Sequence, residues 1–364
     1  MRPLPPGGSH ADHVLTMGVE EEFLLLEPDG AVAPKASEVV RRMDADDRVK
    51  PEYMAYQVET TTSIHTGLDD LRRELAGLRL TTAEAAERSG TYLVASGAVP
   101  LPAGPVDALS GHGRYREMAR RFPDATEAGA CCGCHVHIGV PDRELATAVL
   151  TRLRPWLPAL LALTVNSPVA GASDTGWQSY RYPTQMSWPT FRPPSIWPSA
   201  ERYDQEVSEL IEAGTAVDVA GVHFMARLSA RFPTIEIRIA DTGLAVADTV
   251  LFAGVTRALV AALIEDVKQH VKVLPPPGHQ VSEQLLAAAR GADPVGEGGD
   301  RLLAKITPQL DALGDTGEIY AGFERLRREG TGAARQLRLW QRYGPTSGFI
   351  GALAEETAPA VLLH

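Results

Sequence analysis

The order of apolar and polar positions divides the chain into short strands and amphipathic helices. VLTMGVEEEFLLLE (14–27) has the apolar content and length of a strand, and EPDG (27–30) supplies a turn. EYMAYQVETTT (52–62), TYLVASGAV (91–99) and CHVHIGV (134–140) read as further strands. So do runs at 217–228 and at TIEIRIA (234–240). Leu68, Leu71, Leu75 and Leu78 recur at helical spacing and predict a helix over 67–88, capped by Asp69 or Asp70. Further helices are expected over 142–165, 201–214 and 246–270, and three or four shorter ones after the Pro-rich break LPPPGH (274–279). The segment 166–200 holds six prolines and three of the five tryptophans, which predicts a long loop of the lid or binding type. Strands interspersed with helices, then a helical tail, make this an α+β chain without internal repeats.

Composition narrows the class. The chain has 364 residues, 44% hydrophobic and 22% charged, an ordinary globular balance. A formal net charge of −11 argues against nucleic acid or an anionic membrane as partner. No uninterrupted apolar run approaches the ~18–20 residues that a membrane helix needs. Residues 1–13 read as a disordered leader without the apolar core of a signal peptide, so a cytoplasmic setting is expected.

The candidate chemistry lies on strand faces, where alternate residues point the same way. Glu20 and Glu22 share one face of GVEEEF, with Glu21 opposite. Two carboxylates at that spacing repel each other unless a cation sits between them, and oxygen ligands favour a hard dication. Gln57, Glu59 and Thr61 share a face of the next strand. In PTIEIRIA the isoleucines form one face, and Thr234, Glu236, Arg238 and Ala240 the other. An arginine beside a carboxylate suits phosphate oxygens.

All three cysteines fall in ACCGCHVHIG (130–139). Alternation puts Cys132 and Cys134 on one face and His135 and His137 on the other. Cys131 and Cys134 have redox spacing without its usual helical context, and the cysteines do not converge with the histidines as zinc requires. They read as small residues packed behind the histidine face. There is no Gly-x-x-x-x-Gly-Lys-Ser/Thr loop and no Gly-x-Ser-x-Gly elbow. Phosphate would be held by metal ions, arginine and histidine.

In order and spacing, MGVEEEFLLLEPDG, YQVETTT, CGCHVHIGV, SDTGWQSYR and RFPTIEIRIADT resemble the carboxylate–amine ligases related to type 2 glutamate–cysteine ligases. The resemblance runs from about residue 14 to 265 and resumes at RREGTGAARQ (327–336). It implies a glutamine-synthetase-like fold: a curved antiparallel sheet with helices on its convex side, as one catalytic domain over 14–273, and a helical segment over 274–364 packed on it. It implies ATP, two or three Mg²⁺ ions with Mn²⁺ able to substitute, small carboxylate and amine substrates, and a homo-oligomer. The reaction would be amide formation, of γ-glutamyl type, through an acyl phosphate. Glu20, Glu22, Glu59, His135 and Glu236 match metal ligands, His137 a phosphate neighbour, and Arg238 the arginine that steadies the transferring phosphoryl group. Tyr180, Arg181, His223, Arg227 and Arg231 fall on the substrate side.

The departures are local. His65 stands where an acid is expected after Glu59, and GVHFMARLSARF stands where the family carries WWDIRPSPRF, so that His223 and Phe224 replace tryptophans. An altered acyl or amine substrate is therefore expected. Two other readings use the same residues: a guanidino-group kinase on this scaffold, and a non-enzymatic zinc or redox sensor built on Cys131–Cys134.

Overall fold

The structure, a computed structural model, describes residues 15–43, 46–101, 103–111, 113–291 and 295–358. The expected leader at 1–13 lies outside them. Nine strands form among the described residues: β1 (Met17–Leu26), β2 (Val49–Pro51), β3 (Gln57–Thr61), β4 (Tyr92–Val94), β5 (Gly133–Gly139), β6 (Val169–Ala170), β7 (Ser173–Asp174), β8 (Ala226–Leu228) and β9 (Thr234–Asp241). Seven build one antiparallel sheet in the order β2-β3-β1-β5-β9-β8, with β4 on the C-terminal half of β1. β6 and β7 pair separately inside the Pro-rich loop.

The two faces of the sheet follow from its alternation. Val136, Ile138, Ile235 and Ile237 are fully buried under the helices Leu157–Thr164 and Val246–Lys268. Glu21 lies on this face too. Arg79 closes on it with Nε at 3.0 Å and Nη2 at 2.5 Å, and Thr249 donates its hydroxyl at 2.5 Å. A charge this deep stands only because it is paired and hydrogen-bonded. Val246–Lys268 is long and apolar enough by length and composition to cross a membrane, although Asp248, Thr256 and Arg257 interrupt its apolar run as expected. However, 83% of its most apolar window is buried inside the protein, as in a core helix.

Other details depart from the periodicity. The helix Leu68–Arg88 is capped by extended Gly67, while Asp69 and Asp70 occupy its first turn and favour it through the helix dipole. The expected helix 142–165 is broken by Pro155 and Pro158 into Arg143–Leu153, a 3₁₀ turn, and Leu157–Thr164. Of 217–228 only the last three residues join the sheet; a 3₁₀ turn at Val219–Gly221 precedes them. Five helices, not three or four, follow LPPPGH among the described residues. Gly330 (φ 77°) and Gly344 (φ 58°) divide the last three by taking left-handed conformations that other residues resist. These helices pack on Leu157–Thr164, Val246–Lys268 and β4.

Candidate active site

The uncovered face of the sheet gathers the predicted acids and bases. Pairing sets Glu20 opposite His135, Glu22 opposite Glu59, His137 opposite Glu236 and Arg227 opposite Glu236. Between Cys134 and Val136 the β5–β9 register slips by one residue, so β9 carries a bulge near Arg238. The bulge corrects the expected face: Ala240 falls opposite Cys134 on the apolar side, and Asp241 falls opposite Gly133. The Arg238 and Ile239 carbonyls at the bulge accept hydrogen bonds of 3.2 Å each from the buried Arg181 guanidinium.

Two groups of donor atoms converge, each within 4.8 Å: Glu20, His137 and Glu236, and Glu22, Glu52 and Glu59. His137 Nδ1 lies 2.9 Å from the Thr234 hydroxyl, which fixes the ring. Its Nε2 is buried, has no hydrogen-bond partner and lies 3.6 Å from Glu20. An orphaned imidazole nitrogen aimed at two carboxylates fits a divalent cation, and the oriented far nitrogen is how metal-binding histidines are held. The expectation placed His135 on metal and His137 near phosphate. The geometry brings His137 into the group instead. His135 Nδ1 sits between Glu20 Oε2 and Arg238 Nη1, 3.4 Å from each.

Electrostatics separate the two groups. Burial works against the charges of Glu20 and Glu236. The histidines nevertheless hold Glu20 well below the usual carboxylate range, and Arg227, Arg238 and His137 hold Glu236 below it. His137 is held above its ordinary value: burial opposes its charge, but Glu20 and Glu236 outweigh burial. Burial and then Arg238 push His135 down to about 4, so it is neutral. In the second group burial raises Glu22, Glu52 and Glu59; repulsion from Glu20 adds to the rise at Glu22, from Glu20 and Glu22 at Glu59, and from Glu59 and Glu22 at Glu52. Crowded carboxylates of this kind fit an oxygen-ligated cation. Lys50 Nζ, 2.7 Å from Glu59, supplies part of the counter-charge.

The site opens into two neighbouring cavities that share Glu22, Glu52, His135 and Arg238 in their walls. The outer cleft is lined also by Glu20, Glu59, His137, Glu236 and the 229–232 loop. The inner pocket is lined also by Arg181, Trp188 and His223. Of the expected substrate-side residues, Arg181 and His223 line the inner pocket, and Arg231 lies exposed at the outer cleft. Tyr180 is exposed and lines neither. Arg227 is committed internally. Nε and Nη2 reach the two Glu236 oxygens at 2.9 and 3.2 Å, and Nη1 donates to the Val219, Ala220 and Val222 carbonyls. That leaves it no fork for a substrate carboxylate.

Sequence reasoning missed Glu52, Lys50, Trp188 and Asp241. Asp241 is buried and accepts from the Ser167 and Ser179 hydroxyls, at 2.7 Å each, and from the Asn166 amide at 2.8 Å. It thereby ties the loop that carries Arg181 to the end of β9. Its nearness to Glu236 and Arg238 on one strand was the available signal. Cys131 lines the inner pocket, Cys132 receives a 3.4 Å hydrogen bond from Gln57, and Cys134 faces the helices. Cys132 and Cys134 are buried in the apolar core with Val136 and Ile138, Cys131 is not, and neither converging group contains one of the three.

Similarity to known proteins extends over nearly the whole chain. A family profile described as glutamate–cysteine ligase family 2 matches residues 16–345. A protein of Salinispora tropica provisionally named glutamate–cysteine ligase 2 is 41% identical over 362 residues, covering 95% of this chain and 96% of its own. A Mycobacterium relative provisionally named glutamate–cysteine ligase 2-2 is 39% identical over 358 residues, covering 94% and 98%. Two solved structures share the fold. A bifunctional glutathione synthetase from Pasteurella multocida superposes with TM-score 0.70 at 15% identity, over 94% of this chain and 52% of that one. A glutamate–cysteine ligase from Francisella tularensis, in complex with AMP, superposes with TM-score 0.66 at 12% identity, over 95% and 89%.

Proposed function

The chain belongs to glutamate–cysteine ligase family 2, and we propose that it joins a small carboxylate to an amine at the cost of ATP, through an acyl phosphate. The observation that carries this reading is the pair of converging ligand groups on one sheet face, at the junction of two cavities. The outer cleft would take the nucleotide and the inner pocket an organic substrate. Glu20, His137 and Glu236 would hold one Mg²⁺, and Glu22, Glu52 and Glu59 another, with Mn²⁺ acceptable to the same donors. When bound, such ions neutralise phosphate charge.

The chain's own residues position and screen. A carboxylate oxygen attacks the γ-phosphorus, the bond to ADP breaks, and an acyl phosphate forms. The amine nitrogen then attacks the acyl carbon, loses a proton and expels inorganic phosphate. Arg238 faces the reacting centre with a fixed, always-charged fork that suits phosphoryl oxygens. Its Nη1 is held by Glu236, and Glu236 by Arg227. Neutral His135 leaves Arg238 free of a second cation beside it. Catalysis of this kind rests on positioning and charge complementarity.

Family membership disfavours the kinase reading, and free cysteines that join neither converging ligand group disfavour the zinc or redox reading. The test is a screen of carboxylate–amine pairs with ATP and Mg²⁺, reading ADP, phosphate and new amides by mass spectrometry. The expected result is ADP and amide in equal amounts for at least one pair. ADP formation with phosphate on a guanidino product and no amide would overturn the reading.

A further inference from the structure

The inner pocket has two kinds of wall. Glu22, Glu52, Arg181 and Arg238 form a charged part near the sheet. The rest carries the rings of Tyr53, Trp188, Phe191 and His223 beside the polar side chains of Gln57, Thr184 and Gln185. Trp188 and His223 stack at 4.6 Å between centroids with 29° between planes. Tyr53 meets Trp188 edge-on at 5.7 Å, and Phe122 supports Trp188 from outside the pocket at 5.6 Å. Tyr182 holds Phe191 in the same way at 6.0 Å. Rings that brace one another form a rigid, preorganised apolar surface.

This wall carries no charge. His223 is kept neutral by burial and by the guanidinium groups of Arg238, Arg227 and Arg114. A charged side chain would find no partner there, and a one-carbon thiol would leave most of the ring surface against water. A planar apolar group would cover it.

We infer that the inner pocket takes a substrate bearing a planar, apolar side chain, of the aromatic amino acid or arylalkylamine class. The inference rests on the ligase reading and assigns the group to either the acyl donor or the amine acceptor.

The experiment has two arms with purified protein, ATP and Mg²⁺. In one, glutamate is the fixed donor and the acceptors are phenylalanine, tyramine, alanine and cysteine. In the other, alanine is the fixed acceptor and the donors are phenylalanine, 3-phenylpropanoate and glutamate. We expect the aromatic members of one arm to exceed the small ones by at least about tenfold in kcat/KM, and Trp188→Leu to narrow that ratio. The arm that shows the preference identifies the substrate. Amide formation without aromatic preference would overturn the inference and leave the ligase reading intact. If no pair reacts, the ligase reading falls, and thermal shift of the same protein judges the pocket. A larger stabilisation by phenylalanine than by alanine or cysteine supports the aromatic pocket, and equal shifts refute it.

Discussion

Arg227 separates a substrate-binding arginine from a positioning one. The substitution Arg227→Met keeps much of the stem's volume and removes every donor. In the folded protein it would strip Glu236 of a bidentate partner at 2.9 and 3.2 Å and remove the side-chain donor from the Ala220 and Val222 carbonyls, while the Val219 carbonyl keeps the Val222 N–H. Both side chains are largely buried, with Arg227 at 6% and Glu236 at 2% exposure, so water from the cleft replaces the lost contacts only in part. Breaking a buried pair from one side costs about 3–5 kcal/mol. Arg238 remains on Glu236, which places the expected loss near about 3 kcal/mol. At roughly 2 °C per kcal/mol for a chain of this size, Tm should fall by roughly 6 °C. Turnover should fall as well, because Glu236 loses the fork that aims it at His137 and Arg238. Arg227→Lys should restore charge but not the fork, and so recover only part of both. The assay pairs calorimetry with ADP release over a range of carboxylate concentrations. An unchanged Tm with a raised KM for the carboxylate would refute the reasoning and make Arg227 a substrate contact.

Three further outcomes follow from the same geometry. Gly133→Ala would place a Cβ 2.6 Å from Arg181 Nη2 and 3.2 Å from the Ala240 carbonyl, so it should displace Arg181. ADP release should drop about tenfold or more, with a smaller loss of stability. Glu52 is held well above the carboxylate range, and an acid whose folded pKa is raised destabilises the fold increasingly as pH rises from its unfolded value through the folded one. In the presence of a chelator, Glu52→Gln should therefore raise Tm relative to the parent more at pH 8 than at pH 5, and a Tm difference independent of pH would count against the assignment. Burial pushes the Cys131 thiol up to about 12 and holds Cys132 and Cys134 well above the ordinary thiol value, so thiol reagents should react slowly. ADP release should survive Cys131→Ser and Cys134→Ser, and its loss would revive a cysteine-centred reading.

Much of the candidate site was legible because strand alternation is strict. Glu20, Glu22, Glu59, His135, His137, Glu236 and Arg238 could be assigned faces one strand at a time, and the pairing registers bring those faces together. Glu52 was hidden by the same rule. Counted along one strand it lies seven residues before Glu59, on the wrong face. The chain instead turns at Met54–Gln57, where the Gln57 amide donates to the Met54 carbonyl at 2.9 Å, and β3 returns along β2 and brings Glu59 beside Glu52. The bulge on β9 had no local sequence signal and moved Ala240 off the expected face. The role of Arg227 required the β8–β9 register, since nothing in ARL tells a substrate fork from one spent on a neighbouring strand. The five C-terminal helices needed the positive φ at Gly330 and Gly344, which sequence alone does not reveal.

The central claim is that a substrate carboxylate takes the γ-phosphoryl group before the amine arrives. Isotope transfer tests it most directly. With the active carboxylate labelled with ¹⁸O in both oxygens, ATP, Mg²⁺ and the amine, the account predicts one ¹⁸O in each inorganic phosphate released and one retained in the amide carbonyl. Amide formation with unlabelled phosphate would contradict it.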